Sequence, residues 1–196
     1  MTMEKLQDFF KISLGDFLDT LASNSPTPGG GSTAALSGAM AAGLVSMVCN
    51  LTIGRAKYAQ YEEIAKEALI KSEQLRKNLM QCVIDDINEY NNVMSAFKIS
   101  KEDPERSNKI QDAYKQAIEP PKNTVMYCGE VVNLAKDLIG KTNAAAVSDL
   151  YSAIYLARCG VLCADENITI NLNAIKDSDF TNNERIWAKV HKDSAF

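Results

Sequence analysis

The chain has 196 residues, 46% hydrophobic and 23% charged, a mix that suits one soluble globular domain over 1–196 and excludes wholesale disorder. Lys and Arg number 21 against 25 Asp and Glu, a net charge of −4, which argues against a nucleic-acid binder working through a general basic surface. The one histidine, His191, makes histidine-based metal centres and Ser–His–Asp or Cys–His catalysis implausible within one chain.

The N-terminal segment, about Glu4 to Ser23, reads as an amphipathic helix with Leu14, Phe17, Leu18 and Leu21 on one face. Its acidic residues interrupt any signal-peptide apolar run. Ser25-Pro26-Thr27-Pro28-Gly29-Gly30-Gly31-Ser32 then makes a rigid approach ending in three glycines. From Thr20 to Gly54 no residue is charged. Within that stretch, Thr33 to Ile53 is long enough to cross a bilayer, but Ala, Gly, Ser and Thr dominate it. The composition predicts a central buried helix ending near Gly54 instead.

A long helix follows from about Ala59 to Phe97. Its packing seam is Ala68, Ser72, Leu75, Leu79, Cys82, Asp86, Tyr90, Val93 and Phe97, with Asp85 beside it. Pro104 suits the first turn of another helix, and Pro120-Pro121 must break or kink the chain before Lys122 to Ile139, which Gly140 closes. Asn143 or a neighbour leads into a helix over Ala144 to Ala164, whose stripe of Asp149, Ala153, Ala157, Gly160 and Ala164 carries one charge. Asn167 to Asn173 alternates like a strand but finds no second strand, and a short helix or extended turn is expected there. Ser178 or Asp179 caps a last helix carrying Trp187. The pattern predicts an all-α, up-and-down bundle of long helices that self-associates.

Five scattered cysteines without a CxxC pair read as buried reduced thiols of a cytoplasmic protein. For the remaining candidates the residues leave two readings open. The triple glycine either packs a tight turn or bares backbone amides to an anion. Asp86 and Asp149 either pair with a cation, or cap a helix, or converge on one pocket where burial raises a pKa. Arg55, Lys57 and Tyr58 either solvate a helix end or receive an anionic substrate. Asn143, Asn167 and Asn171 are turn formers by default.

Residues 25–35, continuing through Asn50-Leu51-Thr52-Ile53-Gly54 and Lys57-Tyr58, closely resemble the cyclodeaminase/cyclohydrolase family, that of the C-terminal half of formiminotransferase-cyclodeaminase. The resemblance continues at Asp86 to Tyr90 with Asn92-Val93-Met94, at Asn143, at Ser148-Asp149-Leu150 and at Asn167 to Leu172. It implies an all-α homodimeric enzyme of tetrahydrofolate one-carbon metabolism, cytoplasmic, with no metal or redox cofactor and no nucleic-acid or membrane partner. Its substrate is a folate, with or without a polyglutamate tail. Cyclodeamination of 5-formiminotetrahydrofolate to 5,10-methenyltetrahydrofolate is preferred, with hydrolysis of the methenyl bridge to 10-formyltetrahydrofolate as the alternative. A non-catalytic folate- or partner-binding dimer is the alternative of another class. On this resemblance Asp86, Asp149 and Lys57 are the catalytic candidates. Pro28, Gly29, Gly30, Gly31, Ser32, Arg55, Tyr58, Tyr90, Asn143, Ser148, Asn167 and Asn171 would bind substrate.

Overall fold

The computed structural model describes residues 12–196. The first part of the expected N-terminal helix, up to Lys11, lies outside the described residues. The helices in chain order are α1 (Leu14–Ala22), α2 (Gly30–Thr52), α3 (Glu62–Phe97), α4 (Arg106–Gln116), α5 (Glu119–Leu138), α6 (Val147–Leu172) and α7 (Ser178–Ser194). Short 3-10 turns at Ala56–Tyr61 and Ala144–Ala146 precede α3 and α6. No strand occurs among the described residues.

Helix α2 is the hub because its side chains are small. Gly31, Ala34, Ala35, Gly38, Ala41, Ala42 and Val45 are all buried, and α3, α5 and α6 pack around it. Side chains this size bring backbones close together. A Cβ added at Gly160 of α6 would stand 2.8 Å from Cys128 Sγ of α5 and 2.9 Å from the Ala34 carbonyl of α2. Bonds between helices fix the register: Ser37 Oγ donates to the Leu156 carbonyl at 2.8 Å, and the hydroxyls of Ser46 and Ser72 are 2.8 Å apart. Helices α2 and α6 are antiparallel neighbours, since Gly30 lies by Asn167 and Thr52 by Asn143. Among the described residues two helices, Gly30–Thr52 and Ala144–Leu172, are long and apolar enough to cross a membrane by length and composition, and the first is largely buried inside the bundle.

Several sequence expectations move. The strand-like run at 167–173 is helix: α6 continues to Leu172, burying Ile168 and Leu172 four residues apart while Ile170 faces outward. Alternating apolar residues satisfied a strand pattern, but core contact selects the i,i+4 pair. Pro104 precedes α4 by two residues rather than opening it. Pro120 and Pro121 fall in the first turn of α5, where a missing N–H costs no helical bond, so the chain breaks between Gln116 and Glu119. The last helix is capped one residue early, by Asp177, whose carboxylate accepts from the Phe180 amide at 3.0 Å. Phe17 alone of the α1 face is buried, with Leu14 and Leu18 exposed.

Candidate active site

The glycine run delivers the chain into α2 with Gly29 as N-cap and no side chain capping the first turn. The carboxylate that approaches these free amides comes from α3. Ser32 Oγ donates to Asp86 Oδ2 at 2.7 Å. A Cβ at Gly31 would collide with the Asp86 carboxylate, so only glycine allows this approach. Burial pushes the Asp86 carboxyl above the ordinary aspartate range, and hydrogen bonds from the Ser32 hydroxyl and backbone oppose the shift only in part. No Lys or Arg among the described residues forms an ion pair with it. Asp86 thus borders a helix N-terminus, as one sequence reading held, while lacking the cation that a purely structural buried carboxylate would be given.

Asp86 opens onto a cleft of about 520 Å³ between α3, α4 and the end of α6. Tyr90, Met94 and Phe97 line the α3 side, Tyr114 the α4 side, and Asn167, Ile170 and Asn171 the α6 side. Phe97 and Tyr114 meet edge to face at 6.1 Å. Asn167 reaches from α6 to the glycines: its Nδ2 would be 3.3 Å from a Cβ at Gly30, and it donates to the Cys163 carbonyl at 2.8 Å. Asn171 Nδ2 donates to the Ala117 carbonyl at 3.1 Å, tying α6 to the break between α4 and α5. Pro28 is buried behind this corner. Of the sequence candidates, Asp86, Tyr90, Asn167 and Asn171 line the cleft, while Gly30 stands behind Asn167, and Gly31 and Ser32 behind Asp86. Sequence reasoning missed Tyr114 and Met94 as walls, because nothing local marks which outer helix closes a groove.

The other candidates gather at the opposite end of the α2–α6 pair. Asn143 caps the 3-10 turn by accepting from the Ala145 amide at 3.1 Å, its own amide donates to Thr52 Oγ1 at 2.9 Å, and its Nδ2 donates to the Leu51 carbonyl at 3.3 Å. Tyr58 Oη donates to Asn143 Oδ1 at 3.4 Å and accepts from the Ala144 amide at 3.1 Å. That amide, and then the Lys57 ammonium 5.4 Å from the ring centre, lower the Tyr58 phenol below its usual range. Arg55 and Lys57 are exposed, as is Ser148. Asp149 is half-buried in the first turn of α6.

Of the readings open for Asp86 and Asp149, convergence on one pocket fails within a single chain. Asn167 stands beside Gly30 and next to Asp86, and at 1.5 Å per residue Asp149 lies ~27 Å from Asn167 along α6. Each face was read correctly, but a face does not give height along the helix.

The family model for formiminotransferase-cyclodeaminase matches residues 13–188. A methenyltetrahydrofolate cyclohydrolase of Methylorubrum extorquens is 44% identical over 84% of this chain and 81% of its own length. A formimidoyltransferase-cyclodeaminase of Dictyostelium discoideum is 31% identical over 89% of the chain, which spans only 32% of that longer protein. The crystal structure of a formiminotetrahydrofolate cyclodeaminase from Thermotoga maritima superposes with a TM-score of 0.84 at 26% identity, covering 95% of this chain and 93% of that one. Sequence and fold agree along nearly the whole bundle: the chain belongs to the formiminotransferase-cyclodeaminase family.

Proposed function

We propose that the protein is a methenyltetrahydrofolate cyclohydrolase, adding water to the 5,10-methenyl bridge to give 10-formyltetrahydrofolate. This reverses the initial preference for cyclodeamination. The cyclohydrolase of Methylorubrum extorquens is 44% identical over most of both chains, whereas the cyclodeaminases of Dictyostelium discoideum and Thermotoga maritima are 31% and 26% identical. The observation that carries the chemistry is Asp86, a largely buried carboxylate without a cation partner among the described residues, facing the cleft from beside a helix N-terminus.

The methenyl carbon is a cation shared by two nitrogens. Asp86 takes a proton from water as the oxygen bonds to that carbon, leaving a neutral tetrahedral adduct. The carbon–N5 bond then breaks with a proton delivered to N5, while the adduct's hydroxyl loses its proton as the formyl carbonyl forms. One proton is released overall. With its pKa raised by burial, the Asp86 carboxylate is a stronger base than a free aspartate, and its protonated form remains an acid that can return the proton. Ser32 orients the carboxylate, Tyr90 and Tyr114 offer flat faces for the ligand's rings, and Asn167 and Asn171 present amides to its polar edges. This chemistry uses no metal or redox cofactor, and the reaction belongs in the cytoplasm.

The second half of the reading is a homodimer. Along α2 the residues Leu36, Met40, Leu44, Met47 and Leu51 form an uncharged stripe in which Met40, Met47 and Leu51 are exposed, while Leu36 and Leu44 are half-buried against the core. A two-fold axis across the middle of this uncharged stripe brings the Asp86 end of one copy to the Tyr58–Asn143 end of the other. The partner's Lys57 and the partner's Asp149 then complete the cleft, meeting the substrate's carboxylate and its cationic carbon.

Two assays test the reading. Loss of methenyl absorbance faster than in an enzyme-free control supports hydrolysis. Growth of that absorbance with ammonia release from 5-formiminotetrahydrofolate, and no accelerated loss from the methenyl compound, would assign cyclodeamination instead. For the shared site, Asp86→Asn and Asp149→Asn should each be inactive alone, and an equal mixture re-equilibrated together should regain about a quarter of wild-type activity, since half the dimers carry one intact site. A mixture that stays inactive contradicts the shared site.

A further inference from the structure

Cys159 and Cys163 are one turn apart on α6, both exposed where burial was expected because this stretch of α6 turns them away from its small-residue packing face, and their Sγ atoms are 3.9 Å apart. The other three cysteines are of a different kind. Cys49, Cys82 and Cys128 are buried, with burial pushing the Cys49 and Cys82 thiols up to about 11 and Cys128 higher still. The folate chemistry uses none of the five, so the exposed pair stands independently of that reading.

Two sulfurs bonded at about 2.3 Å to one pyramidal centre, with roughly 100° between the bonds, lie about 3.5 Å apart, a few tenths of an ångström inside the separation already present. A direct disulfide would instead require the sulfurs to close to about 2.05 Å and an external oxidant. A closed structural metal site requires four ligands, and no group of three His, Cys, Asp or Glu among the described residues converges to hold an ion. The ligand that fits is one satisfied by two sulfurs. We infer that Cys159 and Cys163 form a chelating dithiol site for trivalent arsenic carrying one organic substituent. In the capture, an organoarsenic(III) oxide forms two As–S bonds, breaks its bond to oxygen, and releases that oxygen with the two thiol protons as water. Arsenic stays trivalent and nothing is oxidised. Burial and the neighbouring Cys159 raise the Cys163 thiol, so it carries the proton that the departing oxygen takes. The adduct sits one turn before Asn167, whose amide holds the Cys163 carbonyl beside the start of α2.

The test is phenylarsine oxide added to the full-length native protein, read by intact mass and by peptide mapping. One arsenical per chain is expected on the peptide holding both cysteines, added with loss of one water, resistant to a monothiol wash and released by a dithiol. Cys159→Ser and Cys163→Ser should each weaken retention by about two orders of magnitude, because the second, intramolecular bond is lost. Both replacements are on the exposed face and leave the core intact. Wild-type protein that retains no arsenical, single variants that retain it as well as wild type, or label mapping to Cys49, Cys82 or Cys128 would each overturn the site.

Discussion

The two ends of the α2–α6 pair carry similar residue types and hold them in opposite ways. At the start of α2, glycines give up side-chain volume so that a carboxylate can be buried against the helix N-terminus, with the Ser32 hydroxyl and backbone as its hydrogen-bond donors. At the far end, Asn143 and Tyr58 satisfy the turn amides fully, and the charged groups Arg55 and Lys57 remain in water. One end holds a carboxylate whose pKa burial raises above its value in water. The other is a well-capped turn that displays positive charge. A proton-transfer site and a binding edge require those two environments respectively, and the bundle separates them by the length of a helix.

The comparison breaks most severely at Gly31. Gly31→Ala puts a methyl group where the Asp86 carboxylate stands, so activity should fall at least as far as on losing Asp86 itself. Overpacking of about 1–3 kcal/mol should lower Tm by roughly 2–12 °C. Asp86→Asn keeps the shape and removes the base. Turnover of methenyltetrahydrofolate should fall by roughly 10²–10⁴-fold, the usual worth of a positioned acid–base group.

The same variant sharpens the contrast through stability. The folded pKa of Asp86 is raised, so its contribution to stability is fully present below the ordinary aspartate range and is lost as pH rises through the folded value. Asp86→Asn should therefore melt above wild type at pH 8, with the gap closing on acidification below about pH 4. A melting curve that shows no such pH-dependent gap would mean the carboxylate is not penalised by burial.

Ser32→Ala removes a hydrogen bond that lowers the Asp86 pKa. The acidic limb of kcat/KM should shift to higher pH, while kcat on the plateau changes less. At the far end, Tyr58→Phe should have the smallest effect: one hydroxyl lost between Asn143 and the Ala144 amide, about 1 kcal/mol or less and a Tm change of a few degrees, because the turn remains open to water.

Much of this was legible in the sequence because it is local or periodic. The glycine run marked the start of α2 and Gly54 its end, and the seam placed Asp86 on a packing face among Leu79, Cys82 and Val93. What escaped was three-dimensional. Asp86 and Asp149 share the property of being lone charges on small or apolar faces, yet antiparallel packing places them at opposite ends, and no pattern within either helix encodes that. Ile168, Ile170 and Leu172 fit two periodicities, and only the core behind Ile168 and Leu172 decides between them. Tyr114 closes the cleft from α4, a helix whose own sequence buries just Ile110 and so gives no sign of a functional face.

The central claim is that the carboxylate of Asp86 moves the proton in hydrolysis of the methenyl bridge. The direct measurement is the pH profile of methenyltetrahydrofolate loss for wild type and Asp86→Asn, each above its enzyme-free control. The account predicts a wild-type rate that climbs with pH through a limb above the normal aspartate range, and a variant that is slower by roughly 10²–10⁴-fold with that limb gone. A variant that turns over like wild type, with the same limb, would contradict it.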